Sequence, residues 1–391
     1  MVLATNFLSV AARMSLVTFL GIYFVREAGI DLATVGVAFL CENVLRGLLA
    51  PMFGALSDRV GRRPLLLGAS LATAAVLPCF LLVRGPLSLF AWSLAMGVVS
   101  AVKMPVGSAL LLDLAPPERR QSLLALNYTV VSVAYTLAVT PAGYVAERGY
   151  GLLAALSTGG YLLIAALYLF ALRGPLPIER SSSEGFYKDV LSVFRDRLLL
   201  GFAAIAFVFP FSMGCIAFVS PLFGADRGLG EGFIGLVLGL NSVIVALLAV
   251  PVATRMEHSG PFRLLGAAAL VVAAALACFG ALPHAGAAFI AGTVIFSFGE
   301  LVFSSAVPAA VARLAPPGRR GAYQGGWTLV GSLSMGSALF VSGLLRDAIG
   351  WSGAWMIYAA LTAVAGVLLV LTRERFLTAS DARRSRSERD G

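Results

Sequence analysis

The chain alternates long apolar stretches with short polar ones. Apolar runs of membrane length fall near 4–25, 33–54, 64–83, 86–112, 121–146, 151–172, 198–222, 232–252, 264–283, 285–312, 321–345 and 351–372. Each reaches the roughly 20 residues a helix needs to cross a bilayer. Gly and Pro are frequent inside them, as membrane helices tolerate. The first run has no basic leader and carries Arg13, so it is read as a first span and not as a cleaved leader.

Composition supports that reading: 59% of residues are hydrophobic and 13% charged, against about 25% charged in soluble domains. Of the 29 Lys and Arg, Arg26, Arg84, Arg148, Arg227 and Arg346 fall in one set of alternate loops, and Arg13, Arg46 and Lys103 lie inside runs. The rest occupy the other loops and the tail, which places both termini in the cytoplasm of a plasma or inner membrane. The net charge of +9 then belongs to topology and lipid contact. No basic folded face with aromatics suggests a nucleic-acid partner. Cys41, Cys79, Cys215 and Cys278 lie in apolar runs without CxxC spacing, and the two histidines, His258 and His284, sit in loops on opposite faces. Without GxSxG or HExxH, neither an enzyme nor a metal or other cofactor is expected.

The chain also repeats. "LAPPERR" at Leu114–Arg120 returns as "LAPPGRR" at Leu314–Arg320, and Pro51 and Gly143 have counterparts in Pro251 and Gly343. Two parallel six-helix halves follow, a transporter arrangement. The expected domains are 1–172, a linker 173–197 with a short amphipathic helix in "FYKDVLSVFRD", 198–372, and a disordered basic tail 373–391. A monomer is expected.

Between the second and third runs stands "GALSDRVGRRP". It resembles motif A of the major facilitator superfamily, with Gly54, Leu56, Asp58, Arg59, Gly61, Arg62 and Arg63 matching. The resemblance implies an all-α fold of twelve transmembrane helices in two pseudo-twofold bundles, covering the twelve runs. It also implies a role for Gly54, Asp58, Arg59, Gly61, Arg62 and Arg63 as a latch between the cytoplasmic ends in an outward-open state. The glycines suit close contact and a tight reversal; Asp58 suits an arginine or a helix N-terminus. The second-half counterpart, "VATRMEHSGPFR", is degenerate.

Ionisable residues inside a membrane are costly and point to function. Here they are Arg13, Glu42, Arg46, Lys103 and Glu300. Glu42 and Arg46 share a helix face, so they read either as a self-satisfied pair or as cavity wall. Arg13 and Lys103 have no acidic neighbour in sequence and require a carboxylate, a dipole, water or a substrate. Lys103 could also exchange a proton.

Glu300 lies in "GELVF". With "GAYQG" at Gly321–Gly325, this resembles the drug/proton antiporter branch, the lactococcal-type multidrug efflux proteins. The resemblance implies that Glu300 takes part in proton coupling. Two departures stand out: Asn127 occupies the position of that relative's helix 5 aspartate, and Ala95 that of a common helix 4 arginine. Fewer acids and three basic groups shift the expected substrates from cationic drugs toward neutral, zwitterionic or anionic amphiphiles, drug-like or lipid-like. Asn127, Tyr128 and Trp327, with Tyr23, Tyr135 and Tyr323, complete the candidate cavity. Proton-coupled efflux leads; a proton-independent facilitator or lipid flippase, organic-anion uptake and a transporter-derived sensor are the alternatives.

Overall fold

A computed structural model describes residues 2–113, 120–170, 192–256, 259–316 and 319–390. Most of the linker helix expected in 173–197, His258 and the side chain of Tyr128 lie outside the described residues.

The described residues are helical, with no strand among them. We number the membrane helices α1 (Val2–Glu27), α2 (Leu32–Val60), α3 (Arg62–Leu82), α4 (Pro86–Leu111), α5 (Arg120–Ala146), α6 (Tyr150–Phe170), α7 (Arg197–Asp226), α8 (Glu231–Val252), α9 (Pro261–Ala281) and α10 (Ala285–Leu314). The final run Arg320–Asp390 is two helices meeting at Gly350, whose φ is 73°; we call them α11 and α12. Among the described residues ten stretches are long and apolar enough to cross a membrane; the last of them holds two helices, and with α5 they answer the twelve apolar runs.

Local chemistry sets the helix ends. Asp31 precedes α2 and accepts a hydrogen bond from Thr34 N–H at 2.8 Å, an N-cap. That bond holds its carboxyl below the ordinary aspartate range. The cap's contribution is therefore present at neutral pH and is lost as pH falls below about 4 and the acid is protonated. Asp31→Ala is expected to cost about 1 kcal/mol, read as a lower melting temperature at pH 7 and a difference from wild type that shrinks as the pH is lowered below about 4.

Gly61 separates α2 from α3 with φ 98°, a conformation that side-chain-bearing residues rarely adopt. This fits the tight reversal expected of motif A. The close contact expected at Gly54 is absent: a Cβ there would meet Pro105 at an ordinary 3.9 Å.

Contacts divide the chain into two compact units. Unit 1 is Met1–Ser183 with Ile216–Ala246 and Gly336–Leu344, so it holds α1–α6 and segments of α7, α8 and α11. Small residues make its closest seams. A Cβ on Gly36 would collide with the backbone at Phe340, and one on Gly143 with the carbonyl of Glu231. Close backbone approach at small residues is how membrane helices associate without a hydrophobic drive. Polar bonds tie the turn between α5 and α6 to the start of α8: Tyr150 Oη donates to Glu231 Oε1 at 2.7 Å, and Gly232 N–H to Glu147 Oε1 at 2.8 Å.

Unit 2 is Glu184–Cys215, Leu247–Met335 and Leu345–Gly391. Its core is aromatic. Phe279 stacks on Trp355 at 4.5 Å and Phe262 on Phe376 at 5.4 Å. The second stack explains a departure from expectation. The polar tail, read as disordered, continues as helix to Asp390. Phe376 is buried against Phe262 and Phe202, and Ser380 Oγ donates to Arg313 O at 2.7 Å. The buried Phe376 anchors the first turns of this segment, and its arginines and glutamates favour helix.

Candidate functional site

The charged residues of unit 1 converge on the middle of its helices. Arg13 lies on α1, Glu42 and Arg46 on α2 and Lys103 on α4. Asn6, Ser9 and Arg13 are spaced three and four residues apart, so they share one face of α1. Each contacts a different helix. Asn6 Nδ2 donates to Asn127 Oδ1 on α5 at 2.7 Å. Ser9 Oγ accepts from Lys103 Nζ at 3.3 Å. Arg13 Nη2 donates to Glu42 Oε1 at 2.7 Å.

The last contact corrects the sequence pattern. Glu42 does not pair with Arg46 one turn away; it pairs with Arg13 across α1 and α2. The Glu42 side chain is only 5% exposed, and a guanidinium from a facing helix reaches it. Arg46 instead donates to Asn43 Oδ1 at 2.6 Å. Arg13 Nε remains buried with no hydrogen-bond partner.

Lys103 sits at a break in α4. The helix Pro86–Ser100 gives way to a turn at Ala101 and Val102, and a second helix starts at Lys103. Pro105 explains this: it has no N–H to give to the carbonyl of Ala101, four residues earlier. The Lys103 ammonium lies over the ring of Tyr161 on α6, 3.6 Å from its centroid, a cation–π contact. Among the described residues no acid forms a salt bridge with Lys103 or Arg46.

Asn6, Ser9, Asn43 and Tyr161 are absent from the sequence reading. The α1 stripe was legible as a polar spacing on an apolar helix. Nothing in sequence distinguished Tyr161 from the other tyrosines of α6.

The motif A residues form a separate cluster at one end of unit 1. Arg62 joins Asp58, Ser57 and Asp113, the last at 3.0 Å. Arg63 donates to the carbonyls of Tyr168 at 2.8 Å and Leu169 at 2.6 Å, which completes the last turn of α6. Arg59 is exposed.

Glu300 and Trp327 belong to unit 2. Glu300 is half-buried near the centre of the 30-residue α10. The helix is held close to α9 beside it, since a Cβ on Gly299 would press on Val272 at 2.5 Å. Trp327 packs on Phe202 at 5.8 Å. Tyr323 donates to Asp196, the residue that also accepts from Leu198 N–H at the start of α7; this tyrosine supports a helix end.

The Major Facilitator Superfamily model matches residues 2–232 and 202–390, which together span nearly all of the chain. The chain belongs to the major facilitator superfamily. It is 25% identical to a Na(+), Li(+), K(+)/H(+) antiporter of Planococcus maritimus, over 78% of this chain and 79% of that one. It is 27% identical to the multi-drug resistance efflux pump PmrA of Streptococcus pneumoniae, over 62% and 63%. The fold matches the crystal structure of the nucleoside transporter NupG with a TM-score of 0.76 at 15% identity, over 95% of this chain and 97% of that one.

Proposed function

We propose that this facilitator is a proton-coupled secondary transporter that exports amphiphilic small molecules by alternating access. The observation that carries the proposal is Glu300, an acid near the middle of a 30-residue membrane helix. About 21 Å of helix separates it from either end at 1.5 Å per residue, too far to snorkel. Its charge must be met within the protein or removed by a proton. A carboxylate kept from water holds its proton, and one opened to water releases it. Exposing the group to each side of the membrane in turn therefore moves protons, and linking that exposure to substrate exchange makes the gradient do the work.

Two relatives support export by exchange: one is named as an antiporter against protons and the other as a multidrug efflux pump. The basic loops support cytoplasmic termini and location in the cell membrane. In this reading Arg46 and Lys103, with Asn127, contribute to substrate contact, and the Arg62-centred cluster at Asp58 and Asp113 serves as the cytoplasmic latch. Asp58→Asn is expected to weaken the latch and lengthen spin-label distances between the α2–α3 and α10–α11 loops; unchanged distances would remove it.

The transport reading is tested in cells loaded with carboxyfluorescein, Nile red or ethidium. Expression of the chain is expected to lower retention of at least one dye, and a protonophore to restore it. Equal retention of all three with and without expression would overturn the reading.

A further inference from the structure

The mid-membrane charges of unit 1 do not balance. Arg13, Arg46 and Lys103 are set against Glu42, and Glu42 is taken by Arg13 at 2.7 Å. The other acids of this unit lie near helix ends. Asp58 and Asp113 hold Arg62, Asp226 holds Arg26 at 3.6 Å, and Glu231 and Glu147 join the start of α8 to the turn between α5 and α6. Three cations thus face one acid at mid-depth, and among the described residues neither Lys103 nor Arg46 forms a salt bridge. Lys103 has three donor hydrogens and makes one hydrogen bond, to the neutral Ser9. Arg46 has five and makes one, to the neutral Asn43. Uncompensated charge in a membrane protein is expensive and marks a substrate or ion path.

We propose that Lys103, with Arg46, forms the binding site for the anionic group of an organic-anion substrate. This rests on the transport reading and specifies the substrate class. Tyr161 and Ser9 fix the ammonium from two sides, so a carboxylate or sulfonate meets a pre-positioned cation and little side-chain entropy remains to be lost. The break of α4 at Ala101 and Val102 starts the second helical piece at Lys103, which adds the positive end of that piece to the ammonium's charge. Arg13 is the positioning residue: it neutralises Glu42, which would otherwise repel the anion. The depth of the site sets it apart from the headgroup layer of the surrounding bilayer. Lys103 is ten residues from the Asp113 end of its helix, about 15 Å of rise, and Arg46 lies at the centre of the 29-residue α2.

The test uses the full chain purified in an uncharged detergent, with probes that share one ring system: naphthylacetate and naphthalenesulfonate, their uncharged counterpart naphthylacetamide, and the cation naphthylmethylammonium. Binding is read as a concentration-dependent rise in melting temperature. The two anions are expected to bind at least tenfold more tightly than the amide and the ammonium. Lys103→Met is expected to erase that preference, and Arg46→Gln to weaken it. A second readout needs no ligand. Removing an unpaired cation relieves its desolvation cost, so ligand-free Lys103→Met should melt at or above the wild-type temperature. Equal binding of all four probes would overturn the site. So would a lower melting temperature of Lys103→Met with anion binding intact. If that variant does not fold, the lysine is structural, and the site is overturned unless Arg46→Gln loses the preference. Binding in detergent requires no gradient. Anions that bind but are not moved across proteoliposomes would therefore count against the transport reading alone. Driven flux of the amide or the ammonium without anion binding would count against the site alone.

Discussion

Proteoliposomes carrying Glu300→Gln are expected to lose proton-driven accumulation while keeping substrate binding and exchange. Glutamine keeps the length and hydrogen-bonding reach of a protonated glutamate but has no proton to release. In wild type, a gradient of one pH unit supports up to about tenfold accumulation per proton coupled, the equivalent of about 1.4 kcal/mol. In the variant the accumulation ratio should fall to about one. Exchange of labelled for unlabelled substrate needs no proton cycle and should continue at a measurable rate. Loss of binding as well as accumulation would mean that Glu300 supports the fold of α10 rather than coupling.

Arg13→Ala is expected to be strongly destabilising. It leaves the Glu42 carboxylate, 5% exposed, without its cation. Breaking one side of a buried pair costs about 3–5 kcal/mol. Replacing both members with apolar residues removes the unpaired charge and is often close to neutral. The double variant Arg13→Met with Glu42→Met should therefore recover most of the melting temperature lost by Arg13→Ala, a large coupling by double-mutant cycle. It should also retain the anion preference, because Lys103 and Arg46 remain. Additive losses from the two single variants would mean that the pair does not act as a unit.

Much of the architecture was legible in the chain. The apolar runs marked the helices because a span must satisfy its own backbone and present apolar side chains to lipid. The motif A loop was legible down to its reversal, since Gly61 takes a backbone conformation that favours glycine. Gly54 was overread: its motif position suggested close contact that the packing does not require.

Partner choice was less legible. The four-residue spacing of Glu42 and Arg46 suggested a pair within α2, but Arg13 lies on a facing helix and takes the carboxylate. Sequence spacing reports neighbours along one helix and nothing about which helix faces it. Tyr161 was hidden for the same reason, since its role depends on the ammonium that α4 brings to it. The tail was misjudged because composition outweighed a single residue: Phe376 supplies a buried contact that keeps the polar segment helical.

Proton movement during substrate flux tests coupling most directly. Purified wild-type protein is reconstituted with a pH-sensitive dye trapped inside the vesicles, and a naphthylacetate or carboxyfluorescein gradient is imposed with no initial pH difference. Substrate leaving one side is expected to draw protons the opposite way, with the dye signal following the substrate gradient and disappearing in Glu300→Gln. Substrate flux at the full wild-type rate with no accompanying change in the trapped dye would contradict coupling.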